Sequence, residues 1–263
     1  MPREARFQLL RPSQIIAEQQ RCSLVFLPVG PLEWHGPHLP LGTDPLHAEE
    51  VSLRLAAEIG GVVLPPLFLG TERERRPEML RSIGFRGHEY VVGMDFPANA
   101  MKSLYCPEEV LAIAVRSCLD LLVAQGYRLI VILNGHGAEN QIQALQRLAV
   151  EYSSTRPARV LMLMPTAGAA DTYFNGSHAT RGETAIMQAI TDSVDLGALP
   201  EGPLKSVELA IVDGPTFEGD PTPDHTVRSA DDPRLATREE GEQRLAAIVT
   251  ELAETLRREL RAL

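Results

Sequence analysis

Two short apolar runs constrain this chain more than anything else in it. Ser23–Val29 and Leu129–Leu133 are each long enough for a strand and too short for an ordinary helix. Neither alternates with polar residues, so each reads as a strand buried on both faces. Each also ends abruptly in glycine or proline, where the chain must leave the sheet. After the first come Gly30-Pro31-Leu32-Glu33-Trp34-His35-Gly36-Pro37-His38-Leu39-Pro40-Leu41-Gly42-Thr43-Asp44; after the second comes Asn134-Gly135-His136-Gly137.

The two breaks carry chemistry. Glu33 and His35 are two residues apart, so in extended backbone their side chains share a side. Asp44 follows a Gly- and Pro-rich turn that can fold it back toward them. Two carboxylates and an imidazole suit a borderline divalent cation such as zinc or manganese. Taken alone, Glu-x-His is a weak pattern and fits a solvated polar loop equally well. The second break shifts that balance. A histidine between two glycines has little packing purpose, whereas the glycines allow a sharp turn and a close approach. Sites in open α/β sheets form at the carboxyl ends of strands, and both breaks lie there.

The rest of the chain alternates. Pro12-Ser13 starts a helix that runs to about Arg21. Leu46–Ile59 has a helical stripe of Val51, Leu53, Leu55, Ala56 and Ile59, stopped by Gly60-Gly61, and Val62–Leu64 is a second strand. Pro107 suits a first helical position and opens a helix that stops at Gly126. Asn140–Glu151 reads as a helix, Arg159–Met164 as a strand, and Gly182–Thr191 as a helix with Glu183 on its first turn. A strand over Val207–Val212, a Pro- and Asp-rich loop over Gly214–Pro233 and an amphipathic helix over Thr237–Leu263 complete the reading. This alternation predicts an α/β fold: a three-layer α/β/α sandwich with a mainly parallel sheet, in one domain over 1–263. Gly70 to Pro107 shows little periodicity. Its charge run Thr71–Pro77 reads as a solvated face, and His88, Tyr90 and Tyr105 read as parts of a pocket wall or subunit contact.

Composition narrows the function classes. With 263 residues, 44% of them hydrophobic, the chain can bury a sizeable core. A net charge of −10, spread along the sequence, argues against nucleic acid and anionic membranes as partners. No apolar run reaches membrane length and the N-terminus lacks a signal-peptide pattern. Three unpatterned cysteines, Cys22, Cys106 and Cys118, fit a reducing cytoplasm, which is the expected location.

The long first motif, residues 27–44, followed by Asn134-Gly135-His136-Gly137, resembles the creatininase family of metal-dependent amidohydrolases. His178-Ala179 with Gly182-Glu183-Thr184, and Asp232–Thr237 with Gly241-Glu242, resemble later segments of the same family. The resemblance therefore spans about Leu24 to Glu242. It implies a creatininase-like fold and a binuclear site for two divalent ions, zinc first and manganese second. In that scheme Asp44 bridges, Glu33 and His136 hold one ion, and His35 with an acid, Glu183 in preference to Glu139, holds the other. His178 or Glu139 would then carry a proton to the leaving group. The implied activity is hydrolysis of a small cyclic amide or related C–N bond by a metal-activated water. A sugar-like cyclic ketone cleaved at a C–C bond, or a non-catalytic metal-binding relative, are the alternatives. The expected partners are a small-molecule substrate and further copies of the chain, as a homo-oligomer of hexamer type. Two departures bear on the substrate. The second motif reads Asn134-Gly135-His136-Gly137-Ala138-Glu139-Asn140, one residue longer than the family pattern, and Phe96-Pro97-Ala98-Asn99 replaces a Phe-Pro-Gly-Thr segment.

Overall fold

Four parallel strands carry the fold: β1 (Leu24–Val29), β2 (Val62–Val63), β3 (Leu129–Asn134) and β4 (Arg159–Leu163), in the order β2-β1-β3-β4. The computed structural model describes residues 4–82, 84–97, 99–166, 178–204, 206–207, 211–212 and 227–263. Around the sheet stand α1 (Pro12–Arg21), α2 (Thr43–Ile59), α3 (Pro77–Ser82), α4 (Glu108–Ala124), α5 (Glu139–Thr155), α6 (Arg181–Ile190) and α7 (Arg238–Ala262). A two-stranded antiparallel ladder, β5 (Ser206–Val207) with β6 (Ile211–Val212), stands apart from the main sheet.

Period-two geometry sorts the strand side chains into two cores. Leu24, Phe26, Val63, Leu129, Val131 and Leu133 face one layer, where they meet Val51 and Leu55 of α2, Ile186 of α6 and Leu245, Ile248, Leu252 and Leu256 of α7. Val25, Leu27, Val29, Val62, Ile130, Ile132 and Val160 face the other, against Leu111, Val115 and Leu119 of α4 and Leu145, Leu148 and Tyr152 of α5. At about 1.5–3 kcal/mol for each fully buried large apolar side chain, this two-sided burial is the main favourable term. The result is the α/β/α sandwich that the alternation predicts. No described helix is long and apolar enough to cross a membrane, and the three cysteines are free thiols.

The structure adjusts several boundaries. α2 begins at Thr43, three residues before the expected Leu46. Pro45 falls in its first turn, where the missing N–H costs nothing, so proline there does not break the helix. Asp44 therefore stands on a helix and not in the preceding loop. Pro107 is the N-cap of α4 and not its first helical residue. α5 starts at Glu139, and the expected strand over Val207–Val212 is replaced by the β5–β6 ladder. The loop Gly214–Pro233 lies mostly outside the described residues. In the aperiodic segment α3 forms, and the charge run is a solvated face only in part: Arg73, Glu74 and Arg76 are exposed, Glu72 is half-buried, and Thr71 and Arg75 turn inward. Arg75 is buried beneath the carbonyl of Gly93, to which its Nε donates at 2.6 Å, and its guanidinium lies over the Phe96 ring.

β1 and β3 are paired residue for residue to their last positions, Val29 with Asn134. Their carboxyl ends are therefore side by side, and the N–H of Gly135 donates to the carbonyl of Val29 at 2.9 Å.

Candidate metal centre

The chain leaves β1 and β3 next to one another, and the residues after each strand converge. From the β1 end come Glu33 and His35; from the first turn of α2, Asp44; from the β3 end, His136; from the first turn of α6, Glu183. All five are at most 4% exposed. The approach of α2 to the β3 end depends on Gly135: a Cβ there would lie 2.1 Å from the carbonyl oxygen of Asp44. A glycine that looks like a turn residue in the sequence is thus a contact surface for the backbone of Asp44.

Asp44 is shared. Its Oδ1 lies 3.1 Å from His35 Nε2, and its Oδ2 lies 3.0 Å from His136 Nδ1. Around His35 Nε2 stand also Glu183 Oε1 at 3.6 Å and Glu33 Oε2 at 3.8 Å, yet this buried nitrogen makes no hydrogen bond. Around His136 Nδ1 stands also Glu33 Oε2 at 3.2 Å. Three candidate ligand groups result among the described residues: Glu33–Asp44–His136 and His35–Asp44–Glu183, which are fully buried and share Asp44, and Glu33–His35–His178, whose His178 is only half-buried.

His35, Glu183 and Glu33 each have a partner that aims the side chain. His35 Nδ1 sits 3.0 Å from the carbonyl of Glu33; since a carbonyl only accepts, Nδ1 carries the proton and Nε2 is left for the cluster. Glu183 Oε2 accepts from the N–H of Ala179 at 2.6 Å. Ala179 has φ of +58°, the one described residue other than glycine in the left-handed region. His38 braces the same helix, with Nε2 3.0 Å from Thr184 Oγ1. Asn134 donates to the carbonyl of His136 at 2.8 Å and is itself held by Gln141. Tyr105 OH donates to Glu33 Oε1 at 2.5 Å, and Glu72 Oε1 lies 3.8 Å from His136 Nε2.

The electrostatics match the geometry. Three buried carboxylates in one small volume are costly unless positive charge stands opposite. Burial opposes protonation of His35, but Glu183 and Asp44 override it and hold its pKa well above the ordinary imidazole value. Burial likewise opposes protonation of His136, and Glu33 with Asp44 raise it well above that value. Glu183 is held down at about 2, against its burial, by His35. The protein thus recruits whatever cation it can, and donors of mixed carboxylate and imidazole type suit zinc or manganese.

His178 stands beside the centre, its ring centroid 4.1 Å from that of His35. Its Nε2 lies 2.8 Å from the carbonyl of Trp34, so Nε2 donates and Nδ1 carries the lone pair. Burial, and then His35, lower its pKa. Glu139 is placed differently. It stands exposed on the first turn of α5, accepts from Gln143 Nε2 at 2.8 Å, and belongs to none of these ligand groups. His88 is exposed as well. The sequence reading missed Glu72, which it assigned to a solvated run, and gave Tyr105 only to a pocket wall. Both line a cavity of about 450 Å³ with Arg73, Tyr90, Asp95 and Asn140.

Comparison with known proteins agrees with this architecture. The model of the family described as creatinine amidohydrolase matches residues 9–256. The 3-dehydro-scyllo-inosose hydrolase of Thermotoga maritima is 23% identical over 133 residues, 51% of this chain but only 36% of that protein. The creatinine amidohydrolase of Pseudomonas putida is 26% identical over 254 residues, covering 90% of this chain and 89% of that one. A solved creatininase variant in a Zn-Zn form superposes with a TM-score of 0.68 at 24% identity, over 98% of this chain and 99% of that chain.

Proposed function

The chain belongs to the creatininase family of hydrolases, and we propose that it is a metal-dependent enzyme that opens a small cyclic amide or related C–N bond. The observation that carries this reading is the division of Asp44: one oxygen faces His35 and the other faces His136. A single tetrahedral ion does not use five such ligands, whereas two ions bridged by one carboxylate do. Asp44 would bridge, Glu33 and His136 would hold one ion, and His35 and Glu183 the other, with zinc as the first candidate and manganese as the second. The orphaned Nε2 of His35, surrounded by three carboxylates, is the atom that most clearly fits a cation.

Bound there, divalent cations supply Lewis acidity and lower the pKa of a water to near neutrality. The side chains do the rest. In hydrolysis the C–N bond breaks and the leaving nitrogen takes a proton. His178 would carry it: with Nε2–H given to the carbonyl of Trp34, Nδ1 is left to accept and release the proton. Glu139 lacks that placement, and Glu183, not Glu139, completes the second ligand group. A cyclic ketone is the second reading, favoured by the match to the inosose hydrolase. A non-catalytic metal binder is disfavoured by the complete ligand set.

The test is turnover on a panel of lactams, formamides and cyclic ketones, with metal content measured on the same sample. Metal-dependent hydrolysis of a C–N bond supports the first reading, C–C cleavage the second, and no turnover by fully loaded protein points to the binder. Homo-oligomer formation, as a hexamer, belongs to the same proposal. Light scattering that returns a 28.8 kDa monomer at micromolar concentration removes it.

A further inference from the structure

The segment between β2 and α4 contributes no ligand, yet two of its side chains reach the ligands of one group. Tyr105 OH takes one oxygen of Glu33, at 2.5 Å, and leaves Oε2 for the cluster. The hydroxyl is itself fixed, because it accepts from the N–H of Met94 at 3.2 Å. Glu72 faces the other nitrogen of His136, with Oε1 3.8 Å from a buried Nε2 that makes no hydrogen bond. Its second oxygen is anchored by the N–H of Arg73 at 2.9 Å.

Gly93 locks the two together. It has φ of +53°, and a Cβ there would lie 2.6 Å from Glu72 Cγ and 2.7 Å from Tyr105 OH. The backbone thus passes between both side chains at a distance that only glycine permits. Gly93 is held in turn by its N–H to the carbonyl of Arg73 at 3.2 Å and by Arg75 Nε on its carbonyl. Arg75 N and Val91 O close the same pair of strand-like segments at 2.8 Å. The run Glu72–Arg75, with residues 91–94, is a small clamp pressed against one side of the centre.

We propose that Tyr105 and Glu72 are positioning residues for one of the two ions, the one held by Glu33 and His136. Tyr105 selects which oxygen of Glu33 is offered. Glu72 places a carboxylate 3.8 Å from Nε2 of His136, which favours the proton on Nε2 and leaves the Nδ1 lone pair directed at Glu33 and Asp44. A carboxylate behind a ligating imidazole fixes both tautomer and ring orientation, and loss of such a partner typically weakens metal binding about 10- to 100-fold. The inference rests on the binuclear reading above. It adds that the two ions would differ in their support, since the partners of Tyr105 and Glu72 are Glu33 and His136.

The experiment is chelator competition on zinc-loaded full-length protein, comparing wild type with Tyr105→Phe, Glu72→Ala and Glu72→Gln. The expected result is a biphasic titration in which one ion per chain is weakened about 10- to 100-fold and the other is unchanged. Glu72→Gln, which keeps an acceptor oxygen, should lie closer to wild type than Glu72→Ala. In parallel, ¹⁵N spectra of zinc-loaded wild type should show His136 with its proton on Nε2, and Glu72→Ala should lose that signature. If both ions weaken equally, or neither does, the positioning role is wrong and the binuclear reading stands. If wild type binds no metal, the binuclear reading itself fails and takes this inference with it.

Discussion

The two ligand groups that share Asp44 are supported by different kinds of structure. The His35–Glu183 side is held by backbone: the carbonyl of Glu33 on His35 and the N–H of Ala179 on Glu183. The Glu33–His136 side meets side chains from a long connection: Tyr105 hydrogen-bonds Glu33, and Glu72 faces His136. Backbone support comes with the fold and cannot be removed by substituting a side chain at the supporting position. Side-chain support can be varied without changing the scaffold. The contrast predicts that substitutions in this connection alter one side of the centre while the other stays fixed.

The most damaging change should act on both sides at once. Gly135→Ala places a Cβ 2.1 Å from the Asp44 carbonyl oxygen, so α2 or the β3 end must shift. We expect a loss of about 3 kcal/mol or more in denaturant unfolding, with both ligand groups disrupted. Wild-type stability and full metal content in this variant would show that Gly135 does not set the position of Asp44.

A second change probes the backbone-supported side. Burial holds His38 at a pKa of about 4, below the ordinary 6.5. A histidine depressed in the folded state is neutral there while the unfolded chain takes up a proton. Its contribution is therefore fully present above about 6.5 and is lost as pH falls toward about 4, by roughly 3 kcal/mol in all. In metal-free protein, His38→Gln should flatten stability against pH over that window relative to wild type. Parallel curves would contradict the assignment.

Smaller and more selective effects separate the two acids. Glu183→Gln should weaken one ion beyond the roughly 100-fold typical of an outer partner, because it removes a ligand. Glu139→Gln should leave metal content unchanged, since its carboxylate faces Gln143 on the surface of α5. Elemental analysis showing the reverse pattern would move the ligand role to Glu139.

Much of this was legible in the sequence. The buried strands were visible because parallel strands covered on both faces lose their polar alternation, and Ser23–Val29 and Leu129–Leu133 show that plainly. Glu33, His35, Asp44 and His136 were visible because glycine and proline mark strand ends, where side chains meet. Glu183 came from the family resemblance, since nothing local distinguishes it from any acid on a helix first turn. Glu72 was not legible. Its neighbours Arg73, Glu74 and Arg75 form a charge run, and the ordinary fate of such a run is solvation. The reversal depends on a partner about 20 residues away, where Val91 and Gly93 receive Arg75 and Phe96 stacks beneath it. Local periodicity carries no trace of such a pairing. The start of α2 was misplaced for a simpler reason: Pro45 reads as a break but is tolerated in a first turn.

The central claim is that one carboxylate joins two ions, and metal analysis of wild type and Asp44→Ala tests it most directly. The account predicts close to two divalent ions per chain in wild type and close to none in Asp44→Ala, because both groups lose their common ligand. A full metal complement in Asp44→Ala would contradict it.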